Sequence, residues 1–202
     1  MNLLYTINSP YARKVRVVVA IKKISLQQEA IVLANPDCSI TQYNPLGKVP
    51  TLILDDGSSL YDSRVIVEFL DGFSAESPLI AKDFLLKIST RRWEALADGV
   101  TDAAVAVMLE QRKPAPSQSL IEKQMSKVKL GLHVLNKDLG SQDWCVANSF
   151  SLADVALGCA LGYINLRFSE VIDLNRDYPN LARINATLVK LAAFEETMPQ
   201  TT

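Results

Sequence analysis

The chain has 202 residues, 49% of them hydrophobic, with 21 basic against 22 acidic side chains and a net charge of -1. Length and apolar content are ample for a packed core in one large domain or two small ones, and the even charge balance offers nucleic acid no basic footprint. The longest apolar runs, such as Val15 to Ile21, fall far short of the roughly 20 residues that a membrane span needs.

The first residues, Met1-Asn2-Leu3-Leu4-Tyr5, lack the charged segment and small-residue cleavage site of a signal peptide. Cys38, Cys145 and Cys159 show neither metal-ligand spacing nor even pairing, which suits a reducing cytoplasm and gives no sign of a metal. Leu3 to Thr6 reads as a strand. Asn8-Ser9-Pro10 follows, a cap-type residue and then a proline suited to the first helical position, and Val15, Val18, Val19 and Lys22 carry a helix from Pro10 to about Lys23. Arg13, Lys14 and Arg16 read as its solvated face. Glu29 to Leu33 is expected as a second strand, parallel to the first through a right-handed crossover.

The stretch from Asn44 to Ser63 is unusual. Val49-Pro50 sets a proline at the mouth of the apolar strand Thr51–Leu54, and sheets tolerate proline only at starts, edges or bulges. Asp55-Asp56-Gly57 turns the chain into a strand at Ser59–Tyr61. Asp62-Ser63, both N-cap types, open a helix to about Phe73. Glu76-Ser77-Pro78 is the expected linker. Domain boundaries of 1–76 and 79–202 follow.

Beyond the linker the pattern is helical throughout. Leu79 to Glu110 is one long run in which Gly99 should mark a bend or a close helix contact. Lys113-Pro114-Ala115-Pro116 breaks it, and Leu120 to Leu139 resumes until Gly140. Ser151-Leu152-Ala153-Asp154 has capping-box spacing and starts a nearly all-apolar helix, expected at the centre of a bundle. Tyr178-Pro179-Asn180 begins a last helix running through Leu191. Lone His133 reads as structural, and Ser151 and Asp154 as folding residues.

Three ordered segments resemble the cytosolic glutathione transferases: Ser9-Pro10-Tyr11-Ala12; Asn44 to Pro50 with Asp62-Ser63; and Phe150 to Leu157 with Tyr178-Pro179-Asn180-Leu181. The resemblance, to bacterial-type members with serine at the active-site position, covers essentially the whole chain. It implies an α/β thioredoxin-like N-terminal domain, an all-helical C-terminal domain and a homodimer. Ser9-Pro10-Tyr11-Ala12 also looks like the Cys-Pro-Tyr-Cys of glutaredoxins without either cysteine, which removes dithiol exchange.

The resemblance further implies that glutathione is the co-substrate. Val49-Pro50 would be cis and present the Val49 backbone to the tripeptide as an added strand. Asp62 and Ser63 would hold its γ-glutamyl end, and Lys48 would reach its glycyl carboxylate. Ser9 would donate a hydrogen bond to the thiolate, and Tyr11 would border the electrophile pocket. Ser9, Asp62 and Ser63 are equally at home as plain helix caps. Reduction of a mixed disulfide or peroxide through bound glutathione, and a non-catalytic binding protein of this fold, stand as alternatives to transfer onto a small apolar electrophile.

Overall fold

A computed structural model describes residues 1–73 and 78–200. Glu76 and Ser77 of the expected linker lie outside these residues. The described chain divides into two compact units, one of residues 1–79 with 192–202 and one of residues 80–191.

In the first unit β1 (Asn2–Tyr5) leads to α1 (Pro10–Ile21) and then β2 (Gln27–Ala30). The short α2 (Ile40–Tyr43) precedes β3 (Thr51–Ile53), β4 (Ser59–Leu60) and α3 (Ser63–Phe73). The sheet order is β2-β1-β3-β4, with β1 parallel to β2 and antiparallel to β3, and β3 antiparallel to β4. With α1 packed against α3, this is the thioredoxin-like arrangement. Its core is apolar: Leu3, Val15, Val18, Leu52, Ile66 and Leu70 are fully buried.

Two expectations need correction here. The second strand begins two residues earlier than Glu29 and ends at Ala30, because register with β1 pairs Asn2 with Gln27 and Tyr5 with Ala30. Val32 and Leu33, whose apolar character suggested a strand, lie beyond it and are exposed. Arg13 and Lys14 are not on a solvated face, being 4% and 1% exposed. The reason for Arg13 lies at the far end of the chain. Its Nη2 donates to the Phe194 carbonyl at 3.1 Å, and its guanidinium stacks over the Phe194 ring. Phe194 belongs to a last short helix, Ala192–Glu195, that packs on α1. The segment from Ala192 onward thus clusters with the first unit, whereas the sequence assigns all of 79–202 to the helical domain. Beyond it, the Gln200 N–H donates to Asn8 Oδ1 at 2.9 Å, beside Ser9. Lys22 at the end of α1 pairs with Asp71 of α3 at 3.0 Å, and Asp71 also accepts from the Leu79 N–H.

The second unit holds α4 (Phe84–Gln111), α5 (Gln118–Leu139), α6 (Leu152–Phe168), α7 (Leu174–Asp177) and α8 (Pro179–Leu188). The long run starts at Phe84 and not at Leu79, because Asp83 caps it by accepting from the Leu86 N–H. α4 packs on α5 and α6, and both of those pack on α8. Gly99 sits inside a continuous α4 with open space where a Cβ would stand, so it marks no close contact. The close approach lies instead at Gly131 of α5, where a Cβ would come within 2.3 Å of Val100 Cγ2. Ala97, Ala156 and Ala160 form the seam between α4 and α6. The helix expected to Leu191 stops at Leu188. Its N-terminus is held by Asn136 of α5, whose Oδ1 accepts from the Asn180 and Leu181 N–H groups.

α6 is buried along nearly its whole length, as its apolar sequence requires. Its capping box closes in both directions. Asp154 does more than the sequence suggests. One carboxylate oxygen accepts from the Ser151 N–H and hydroxyl at 2.8 and 3.1 Å, and the other from the Cys145 N–H at 2.8 Å. No helix of the described chain is long and apolar enough to cross a membrane.

Candidate functional site

The sheet register brings the sequence candidates to one edge. Leu4 pairs with Thr51 and Leu52 with Leu60. The end of β1, the start of β3 and the end of β4 therefore emerge on the same side. Ser9 follows the first, Lys48, Val49 and Pro50 precede the second, and Asp62 and Ser63 follow the third. Topology, and not proximity in sequence, collects them.

Ser9 caps α1: its Oγ accepts from the Ala12 N–H at 3.2 Å. A hydroxyl that accepts in this way still carries a proton to donate. The Ser9 N–H bonds to the Thr6 carbonyl, and Pro10 has no N–H. The start of α1 thus offers the field of a twelve-residue helix and one hydroxyl proton. Tyr11, on the first turn, is half-buried.

Val49 stands in a loop whose conformation is set by buried polar groups. Asn44 and Thr51 are both buried. Asn44 Nδ2 donates to the Lys48 carbonyl at 2.9 Å and to Thr51 Oγ1 at 3.3 Å, and Thr51 Oγ1 itself donates to the Lys48 carbonyl at 2.9 Å. Asn44 Oδ1 accepts from the Leu46 N–H, and Gly47 takes a φ of +61°, where a side chain is disfavoured. The Val49–Pro50 peptide is cis. Among the described residues the Val49 N–H and C=O make no hydrogen bond, while their neighbours at Lys48 and Thr51 are engaged. That open pair is the shape of an unfilled β-ladder position. The Lys48 side chain is exposed.

The start of α3 is built differently from that of α1. Asp62 Oδ1 accepts from the Arg64 N–H at 3.0 Å, and the Ile66 N–H bonds to the Asp62 carbonyl. The Tyr61–Asp62 peptide is also cis. Ser63 is buried, and among the described residues its hydroxyl and the N–H groups of Ser63 and Val65 carry no hydrogen bond. Open donors at a helix N-terminus suit an anion.

Sequence reasoning found the cap residues because capping has a local signature. It did not find Asn44 and Thr51 as the residues that shape the Val49 loop. The one available signal was an asparagine two residues before Leu46, the spacing of an Asx turn. Among the described residues no group of three or more His, Cys, Asp or Glu is placed to hold a metal ion.

The family profile of the glutathione S-transferase N-terminal domain matches residues 8–72, and that of the glutathione S-transferase C-terminal domain matches residues 118–184. An uncharacterized GST-like protein of Escherichia coli strain K12, YibF, is 32% identical over 201 residues, covering 98% of each chain. A solved glutathione S-transferase from Methylobacillus flagellatus KT, with glutathione bound, is 54% identical with a TM-score of 0.96, covering 98% of this chain and 99% of that one. A second, from Methylobacterium radiotolerans JCM 2831 in complex with glutathione sulfonate, is 33% identical with a TM-score of 0.94, covering 100% of this chain and 95% of that one.

Proposed function

The chain belongs to the glutathione S-transferase family, and from that premise we propose that it binds glutathione at the sheet edge just described and activates the thiol for attack on a small apolar electrophile. The observation that carries the reading is the open Val49 backbone pair at the mouth of β3, on the same side of the sheet as Ser9 and Ser63.

In this reading Val49 pairs with the tripeptide as an added strand. Ser63 and the open N–H groups of α3 take the γ-glutamyl carboxylate, and Asp62 takes the ammonium. Lys48 faces the glycyl carboxylate as a flexible point charge. Tyr11 borders the electrophile.

The chemistry is a shift in a proton equilibrium. A free thiol, with a pKa near 8.5, is only a few per cent thiolate at pH 7. Lowering that value by about two units requires ~2.7 kcal/mol. The α1 terminus supplies about 0.3–1 kcal/mol, and a hydrogen bond from the Ser9 hydroxyl to the thiolate adds ~1.5–3 kcal/mol. Together they suffice. The thiol proton leaves to water, and the sulfur lone pair forms the new bond to the electrophilic carbon as that carbon releases a leaving group with its bonding pair or, in an addition, gives up a π pair that water protonates. Ser9 stays a donor throughout and forms no covalent bond.

The same premise supports a homodimer in the cytoplasm. Phe84, Leu85 and Ile88 on the first turns of α4 are exposed apolar side chains, and none of the three cysteines is in a disulfide. Light scattering at micromolar concentration checks the dimer. Retention on immobilised glutathione tests the binding premise, and absence of binding at millimolar glutathione overturns it. Equal conjugation rates for the wild type and Ser9→Ala would remove Ser9 from the chemistry while leaving binding intact.

A further inference from the structure

The first unit carries a cavity that the function above does not use. Its volume is about 490 Å³, within the roughly 300–1,000 Å³ of small-molecule sites. The sheet supplies its floor. Successive side chains of a strand point to opposite faces, and Leu3 and Leu52, paired across β1 and β3, are buried on one of them. Asn2, Leu4, Glu29 and Ile53 share the other face and line the cavity. The 31–39 connection and α2 close it, with Ile40 and Tyr43 in the lining. No residue of the proposed glutathione edge borders it.

Its polar lining is made of acceptors. Between Lys23 and Lys48 the only charged residues are Glu29 and Asp37, and both border the cavity. No lysine, arginine or histidine does. Asn2 Nδ2 donates to Glu29 Oε2 at 3.0 Å, while Asn2 Oδ1 is buried and takes no hydrogen bond. A buried acceptor without a donor calls for a reason. Among the described residues the Asp37 carboxylate and the second Glu29 oxygen have no partner either. An amide oxygen and ionised carboxylates can only accept, so this lining asks a ligand for donors and positive charge. A metal ion does not answer to it: among the described residues no three His, Cys, Asp or Glu side chains are gathered to hold one. Leu4, Ile31, Ile40 and Ile53 add apolar wall, which suits a carbon skeleton.

We propose that this cavity binds a small primary amine as its ammonium, with Glu29 and Asp37 supplying the counter-charge and Asn2 Oδ1 accepting one N–H. An ammonium carries three donors and no acceptor, the complement of this lining. Its bonds to carboxylates are charge-assisted and stronger than neutral ones. The apolar walls take the body of the amine. An anionic ligand would meet only like charge here. The site stands on the first unit alone and does not depend on bound glutathione.

Calorimetric titration of the full chain at neutral pH with 2-phenylethylammonium, against 2-phenylethanol as its neutral counterpart, tests the proposal. The ammonium is expected to bind about tenfold more tightly than the alcohol, as one charge-assisted contact implies. Glu29 and Asp37 are exposed, so removing their charge leaves the core intact. Glu29→Gln and Asp37→Asn should each lower the preference about threefold, and the double variant should erase it. Asn2→Leu should weaken both ligands, since either can donate to Oδ1. Glu170→Gln removes an exposed charge from the helical unit and should change nothing. Equal affinity for the two ligands, or no heat at about millimolar ammonium, overturns the site. So does an equal loss in Glu170→Gln and Glu29→Gln, which would mark a diffuse attraction of cations to the surface. Unchanged affinities in Asn2→Leu, or displacement of the ammonium by saturating glutathione, would place the ligand elsewhere and overturn it as well.

Discussion

Ser9 caps α1 in the first unit and Ser151 caps α6 in the second, and the two hydroxyls are engaged differently. Ser151 Oγ accepts from the Ala153 N–H and donates to Asp154, so both sides of the hydroxyl are spent. Ser9 Oγ accepts from Ala12, and among the described residues nothing takes its proton. The contrast extends to the surroundings. Asp154 is fully buried, and burial pushes its carboxyl up against the N–H bonds that pull it down. Asp62 lies exposed beside donors at the start of α3 that have no partner among the described residues. The same capping chemistry thus builds a closed joint in one unit and leaves donors open among the described residues of the other. A site shows itself by the partner it lacks.

The largest expected effect breaks the closed joint. Asp154→Ala strands the N–H groups of Cys145 and Ser151 and opens the capping box, which should cost about 3 kcal/mol in urea unfolding. A loss below about 1 kcal/mol would erase the contrast. Ser9→Ala comes next. Turnover should fall roughly tenfold to a hundredfold, from a lost charge-assisted bond of ~1.5–3 kcal/mol, and the ascending limb of the pH–rate profile, set by ionisation of the thiol, should move to higher pH. The matching change Ser151→Ala should leave turnover alone and lower stability by about 1 kcal/mol. A kinetic effect of equal size in both variants would show that capping is all that Ser9 does.

Asn44→Ala removes the side chain that orders the Val49 loop. It should raise KM for glutathione by about fivefold to tenfold, as one or two lost hydrogen bonds imply, with kcat nearly unchanged. A fall in kcat with constant KM would contradict a role in shaping the binding edge. The smallest effect belongs to Lys48→Ala. An exposed lysine is worth about 0–1 kcal/mol, so KM should rise no more than about fivefold, and the difference should shrink as salt is added.

Much of this architecture is legible in the sequence. Ser9-Pro10, Asp62-Ser63, and Ser151 with Asp154 all mark real helix starts, because caps satisfy local backbone donors and their partners lie within three residues. The Val49-Pro50 strand mouth is legible for the same reason. Other features are set by residues distant in the chain. Arg13 is buried because Phe194 lies over it, 181 residues away. The close helix contact falls at Gly131 and not at Gly99, since a glycine shows that backbone can approach and not which neighbour does. Val32 and Leu33 suggest strand by composition, but β2 ends where pairing with β1 ends.

What the sequence determined by itself was the set of local devices: helix caps, turn residues, the proline at the strand mouth, and the apolar faces that divide an α/β unit from a helical one. These depend on interactions within a few residues. Only the tertiary structure decided which devices share one edge of the sheet and which of their donors are already used. Those outcomes depend on strand register and on contacts between distant segments, and a hydrogen bond is known to be missing only after every neighbour has been placed.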